Sequence, residues 1–180
     1  MNTYEIHRIT EGPKRHLIAK GKIHKYKDLP QEAQLAIAHY MGVDGEAWDL
    51  GVFEGVDSSW THQQRADNIV ANLKKALPEI VQAHADFELG LVTVPTAELI
   101  ELWGEIDSDA TQDFDGDFDA YHVWYQKFRH QHDGRGGGDN PTWPVILSGF
   151  HDELLEDGWH RFHQYIENGA EEITCLWYPH

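Results

Sequence analysis

Pro144-Val145-Ile146-Leu147 … Glu153-Leu154-Leu155-Glu156-Asp157-Gly158-Trp159-His160-Arg161-Phe162-His163-Gln164-Tyr165-Ile166-Glu167-Asn168-Gly169 … Glu172-Ile173-Thr174-Cys175-Leu176-Trp177-Tyr178 is the stretch whose reading decides the fold. The short apolar runs Trp143–Leu147 and Glu153–Glu156 read as strands. A helix over Arg161–Asn168 is closed by Gly169, and Glu172–Tyr178 is a last strand. Gly158 lets the chain turn tightly between strand and helix. The free N–H groups and positive dipole end of the helix then face the turn, which suits an anion. His160 and Arg161 add two donors there, and the guanidinium fork matches phosphate oxygens. Asp157 can cap the helix or hold a metal that rides on phosphates. The plainer alternative makes Asp157 a cap only and Arg161 a salt-bridge partner for Glu156 or Glu167.

Working backwards, Leu89–Val94 reads as a strand ended by Pro95, with a short helix from Thr96 to about Trp103. A helix over about Ala120–His132 follows the acidic stretch Asp107–Asp119, and Asp133–Pro141 is a Gly-rich loop. Upstream, Tyr4–Ile9 and His16–Ile18 read as strands around a Gly12-Pro13 turn. A helix is expected over Leu29–Met41, capped by Asp28, with Pro30 in its first turn and Gly42 at its end. Gly42–Ser59 reads as irregular, with Trp48, Leu50, Val52 and Phe53 packing together. A second helix is expected over Trp60–Ala76, capped by Ser58 or Ser59, broken or kinked at Pro78 and resumed over Glu79–Phe87. The fold class is therefore α+β: a small mixed sheet with helices over residues 88–180, preceded by an N-terminal extension, 1–87, that is short β and then largely helical.

Composition bounds the function classes. The 180 residues are 41 % hydrophobic and 25 % charged, near globular averages. One cysteine, Cys175, excludes an intrachain disulfide and a cysteine zinc cluster, and it reads as a core residue. No secretory segment and no apolar run of membrane-spanning length are present, so a cytoplasmic location and no membrane partner are expected. Net charge is −17; residues 1–27 carry seven Lys and Arg against two Glu, a local +5, which leaves −22 on residues 28–180. Direct DNA binding is not expected of such a surface, whereas a basic protein partner suits it. The basic residues of the first segment either bind phosphate or pair with the acidic body, and pairing is the preferred reading. The thirteen histidines are scattered and contain no HExxH pair.

Asp113-Phe114-Asp115-Gly116-Asp117-Phe118-Asp119 places carboxylates at alternate positions, but the Gly and Glu of a calcium loop are not in register. It reads as a solvated loop whose last Asp residues cap the next helix. No Walker loop, Rossmann fingerprint or Ser/His/Asp motif occurs.

The segment Pro144–Trp177, with Val92-Thr93-Val94-Pro95-Thr96-Ala97-Glu98-Leu99 as an opening strand and short helix, resembles the ParB/sulfiredoxin superfamily. The resemblance covers about half the chain. It implies nucleotide binding through the turn: ParB proteins use CTP with magnesium, sulfiredoxin uses ATP, and a free-serine kinase carries a D-G-H-H-R turn. Carried over, Gly158, His160 and Arg161 are phosphate contacts, and Asp157 matches the first position of the kinase-type turn. Trp159, in the turn, is placed to stack on a base or to face a partner. Glu156 and Asp157 are the candidate catalytic carboxylates, and Asp157 or Glu156 is the ligand of a magnesium ion that accompanies a nucleoside triphosphate. Trp159 stands where sulfiredoxin needs its cysteine, which excludes that chemistry at this position. Trp159-His160-Arg161 also departs from the Glu-Arg-Arg of ParB. With no helix-turn-helix behind the domain, partition is not expected. The implied function is a nucleotide- or phosphate-binding protein, as a kinase, nucleotidase or nuclease. The alternative is a non-enzymatic acidic interaction protein, such as a phage- or plasmid-borne DNA-mimic inhibitor.

Overall fold

The computed structural model describes residues 3–4, 8–9, 16–17, 21–44, 47–51, 55, 57–106, 112–128, 142–148 and 153–178. The strands are β1 (Thr3–Tyr4), β2 (Arg8–Ile9), β3 (His16–Leu17), β4 (Gly21–Lys25), β5 (Glu88–Pro95), β6 (Val145–Leu147), β7 (Leu155–Asp157) and β8 (Glu172–Trp177). The helices are α1 (Gln31–His39), α2 (His62–Ala83), α3 (Thr96–Ile106), α4 (Phe118–Phe128) and α5 (Trp159–Glu167). The class is α+β. Six strands form one sheet in the order β1-β4-β5-β8-β6-β7, and β2 pairs with β3 separately. β6 runs parallel to β8, with Val145 opposite Cys175; the other pairings are antiparallel.

The sheet crosses the expected boundary at residue 88, because β4 pairs with β5 from Lys22 opposite Leu91 to Lys25 opposite Glu88. Side chains alternate across a strand, and the two cores follow that alternation. Leu89, Ile146 and Leu176 join Tyr26, Ile37, Leu73 and Leu77 on the α1–α2 side. Val94, Val145, Leu147, Ile173, Cys175 and Trp177 join Leu99, Trp103, Phe118, Tyr121 and Phe162 on the α3–α4–α5 side. The sheet is thus the middle of three layers. Cys175 is fully buried, and burial pushes its thiol up. Gly90 lies opposite Trp177, and a β-carbon there would fall 2.0 Å from the indole, so only glycine fits beneath that ring.

Several boundaries differ from the sequence reading. Asp28 does not cap α1; it ends a 3-10 turn, Tyr26–Asp28, and Pro30 takes the N-cap position with an extended ψ of 150°. The chain continues past Gly42 as a π turn over Tyr40–Asp44. Thr61, not Ser58 or Ser59, caps α2 and forms a reciprocal capping box with Gln64. Pro78 lies inside one continuous helix. Ile69, Leu73, Leu77 and Ile80 keep a single buried stripe through it, and that packing outweighs the hydrogen bond proline removes. α2 stops at Ala83, because the chain turns there and Phe87 accepts from Tyr26 N–H at 2.7 Å on entering the sheet.

Asp117 caps α4 by accepting from Ala120 N–H at 3.0 Å. Lys25 Nζ lies 2.7 Å and Lys27 Nζ 4.0 Å from Asp86 Oδ1, so these two basic residues do meet the acidic body. The Gly12-Pro13 turn, Val52, Phe53, Asp107 and the Gly-rich loop Asp133–Pro141 lie outside the described residues. Among the described residues no helix is long and apolar enough to cross a membrane.

Candidate functional site

β7, Gly158 and the first turn of α5 bring Glu156, Asp157, His160 and Arg161 together, but their side chains part on either side of the sheet edge. Gly158 is the N-cap of α5 at φ 101°, a left-handed conformation that L side chains rarely adopt. It is buried, and a β-carbon on it would meet Arg161 Nη2 at 2.9 Å and the Val145 backbone at 3.1 Å. Glycine therefore serves both the turn and the close passage of the guanidinium. No side chain caps the helix, which sets aside the alternative in which Asp157 is its cap. The reason is competition: Asp157 Oδ2 accepts from Arg161 Nη2 at 2.7 Å, one helical turn away. That partner is neither Glu156 nor Glu167.

Arg161 is buried, and among the described residues no acceptor meets its Nε. A buried guanidinium with one donor unmet favours an anion that reaches it.

Glu156 projects to the other face of β7. It accepts from Tyr40 Oη at 2.5 Å and from Ser148 Oγ at 3.3 Å. Tyr40 follows α1, so the N-terminal half of the chain reaches the edge of the turn. Burial, then the hydrogen bond to Glu156, holds the Tyr40 hydroxyl above its ordinary range. Burial, then the Glu156 and Asp157 charges, does the same for Tyr178, whose hydroxyl meets Met41 Sδ at 3.5 Å. Tyr26 is raised by burial and donates to Gln34 C=O at 2.7 Å.

These tyrosines carry a pH dependence. Each stays neutral when folded above the phenol's usual value of about 10 and is free to ionise when unfolded. The folded state then binds more protons than the unfolded one, so stability is full below about pH 10 and falls as pH rises through it. Urea midpoints should hold to about pH 9 and drop by about pH 11, with the last of the seven tyrosines' phenolate absorbance appearing only together with unfolding. Phenolate absorbance that reaches the full value for seven tyrosines while the protein stays folded would contradict this burial.

On the α4 side, His160 Nδ1 lies 3.1 Å from Tyr125 Oη. Tyr125 stacks on the buried His163 at 3.9 Å between ring centroids, and His163 Nδ1 is 2.6 Å from His122 Nδ1. One imidazole of that pair donates and the other accepts. Trp159 packs edge-on against Phe162 and Tyr121. Sequence reasoning missed His122, Tyr125, His163, Tyr40 and Ser148 as neighbours of the turn. The spacing of His122 with Tyr125 and of His160 with His163, three apart on two helices, was the available signal for three of them. Nothing local pointed to Tyr40 or Ser148.

Among the described residues no group of three or more His, Cys, Asp and Glu side chains is placed to hold a metal ion. Glu156 and Asp157 face opposite sides of one strand, and Asp157 is already engaged by Arg161. They do not form a ready magnesium cage.

The fold and turn define a three-layer α+β protein with an uncapped, cation-flanked helix start at a sheet edge. No family model, no curated protein and no solved structure matches the chain.

Proposed function

We propose that the protein binds a phosphate-bearing ligand, a nucleotide of the kind the ParB/sulfiredoxin resemblance implies, at the Gly158–Arg161 turn. The observation that carries the reading is the left-handed Gly158 at an uncapped helix start, with the buried Arg161 folded over it and its Nε without an acceptor. The first-turn N–H groups and His160 receive phosphate oxygens. Arg161 meets them through the donor that Asp157 leaves unused. Trp159 is the ring next to the turn for a base. Magnesium would come as the companion of a triphosphate, which supplies most of its oxygens, and Asp157 would add only Oδ1, the oxygen that the Arg161 pair leaves over. Glu156, held by Tyr40 and Ser148, is the carboxylate proposed as a base in a kinase, nucleotidase or nuclease.

A thermal-shift panel of CTP, ATP, GTP and ADP with magnesium tests this. A ligand at about one hundred times its Kd adds about 2.7 kcal/mol, or roughly 5–10 °C for a chain of this size. His160→Ala should weaken the shift, and Arg161→Ala should abolish it. No shift with any nucleotide or with inorganic phosphate would overturn the proposal.

A further inference from the structure

We propose that the exposed side of α4, with the turn before it, docks a basic protein segment that carries an apolar side chain. Among the described residues the large hydrophobic side chains that stand exposed are Val123, 52 % exposed, and Trp124, 38 % exposed. They are neighbours on α4. Phe114 packs against Trp124 at 5.6 Å between ring centroids and broadens the apolar surface towards the turn before the helix. Isolated exposed hydrophobics need no explanation, but an adjacent pair backed by a third ring is a candidate contact. The charge around the pair identifies the occupant. Between Gln112 and Lys127 the described residues carry four carboxylates and one lysine. Asp113 and Asp115 lie exposed on either side of Phe114, and Asp119 lies exposed one helical turn before Val123.

Such a field repels nucleic acid and anionic lipid surfaces and draws Lys and Arg. An apolar anchor on Trp124 inside an acidic rim is the arrangement that lets a partner be both steered and held. The indole face also suits a Lys or Arg head group. The inference stands apart from phosphate binding at the turn, since it rests on other residues and is tested with other variants.

The test uses the full chain and two synthetic peptides with equal numbers of lysines, one an amphipathic Lys/Leu peptide and the other oligolysine. Titration calorimetry at low salt should give binding of the Lys/Leu peptide at least about tenfold tighter than oligolysine. Val123→Ser with Trp124→Ser should remove that advantage, and Asp113→Asn with Asp115→Asn should weaken binding about tenfold and flatten its salt dependence. All four positions are exposed, so circular dichroism should stay that of the folded parent; melting should stay unchanged in the Asp113 and Asp115 variant and drop modestly in the Val123 and Trp124 variant, which loses the ring contacts of Trp124 with Phe114 and Tyr121. Equal affinity for the two peptides, or binding unaffected by the Val123 and Trp124 changes, overturns the proposal. So does a concentration-dependent dimer that Trp124→Ser dissolves, because a second copy would then cover the face.

Discussion

Trp103→Ala should cost about 3–5 kcal/mol. The indole is fully buried in the core between the sheet and α3–α4–α5. It stacks on Tyr121 at 4.9 Å and meets Phe118 edge-on at 5.1 Å. Truncation therefore removes the transfer energy of a large side chain and two ring contacts, and it leaves a void that neighbouring rings cannot fill. A loss of that size is a large share of a domain's usual 5–15 kcal/mol, and it should lower the melting temperature by about 10 °C or more. Val123→Ala, 52 % exposed on α4, is the control and should stay within about 0.5 kcal/mol. Denaturant melts that rank the two alike would refute the packing of α3 against α4.

Asp157→Ala should cost about 3 kcal/mol, because it strands the buried Arg161 guanidinium without its partner. The loss is not the worth of the ion pair. Replacing both members, as Asp157→Ala with Arg161→Met, should recover much of it, since no uncompensated charge remains. The same pair of variants bears on the turn's chemistry. With Asp157 gone, Arg161 is, among the described residues, the charged donor facing Gly158, and added inorganic phosphate should restore stability to the single variant but not to the double one. A single variant as stable as the parent in urea would mean that Arg161 has another partner. Stability that phosphate leaves unchanged in both would count against an anion site.

The sequence by itself determined the α+β class, both strands flanking the Asp157–Arg161 turn, the helix behind it and the Gly169 stop. Those features are local: alternation, a left-handed glycine and the period of a helix are written within a few residues. The burial of Cys175 was equally legible, because an apolar strand places every second side chain inward. The tertiary structure alone decided what the turn's side chains do. Asp157 reads as a helix cap or a metal ligand from its position, yet it pairs with Arg161, because a buried guanidinium needs a counter-charge more than a helix end needs a cap. Pro78 reads as either a kink or a break, and α2 runs through it, because the buried stripe from Ile69 to Ile80 favours one helix. Tyr40 reaches Glu156 across 116 positions of sequence, and no local pattern encodes a contact between segments so far apart in the chain. The turn itself was in the sequence, but its partners came from folding, which set the N-terminal strand β4 against β5 and carried α1 to the edge of the same sheet.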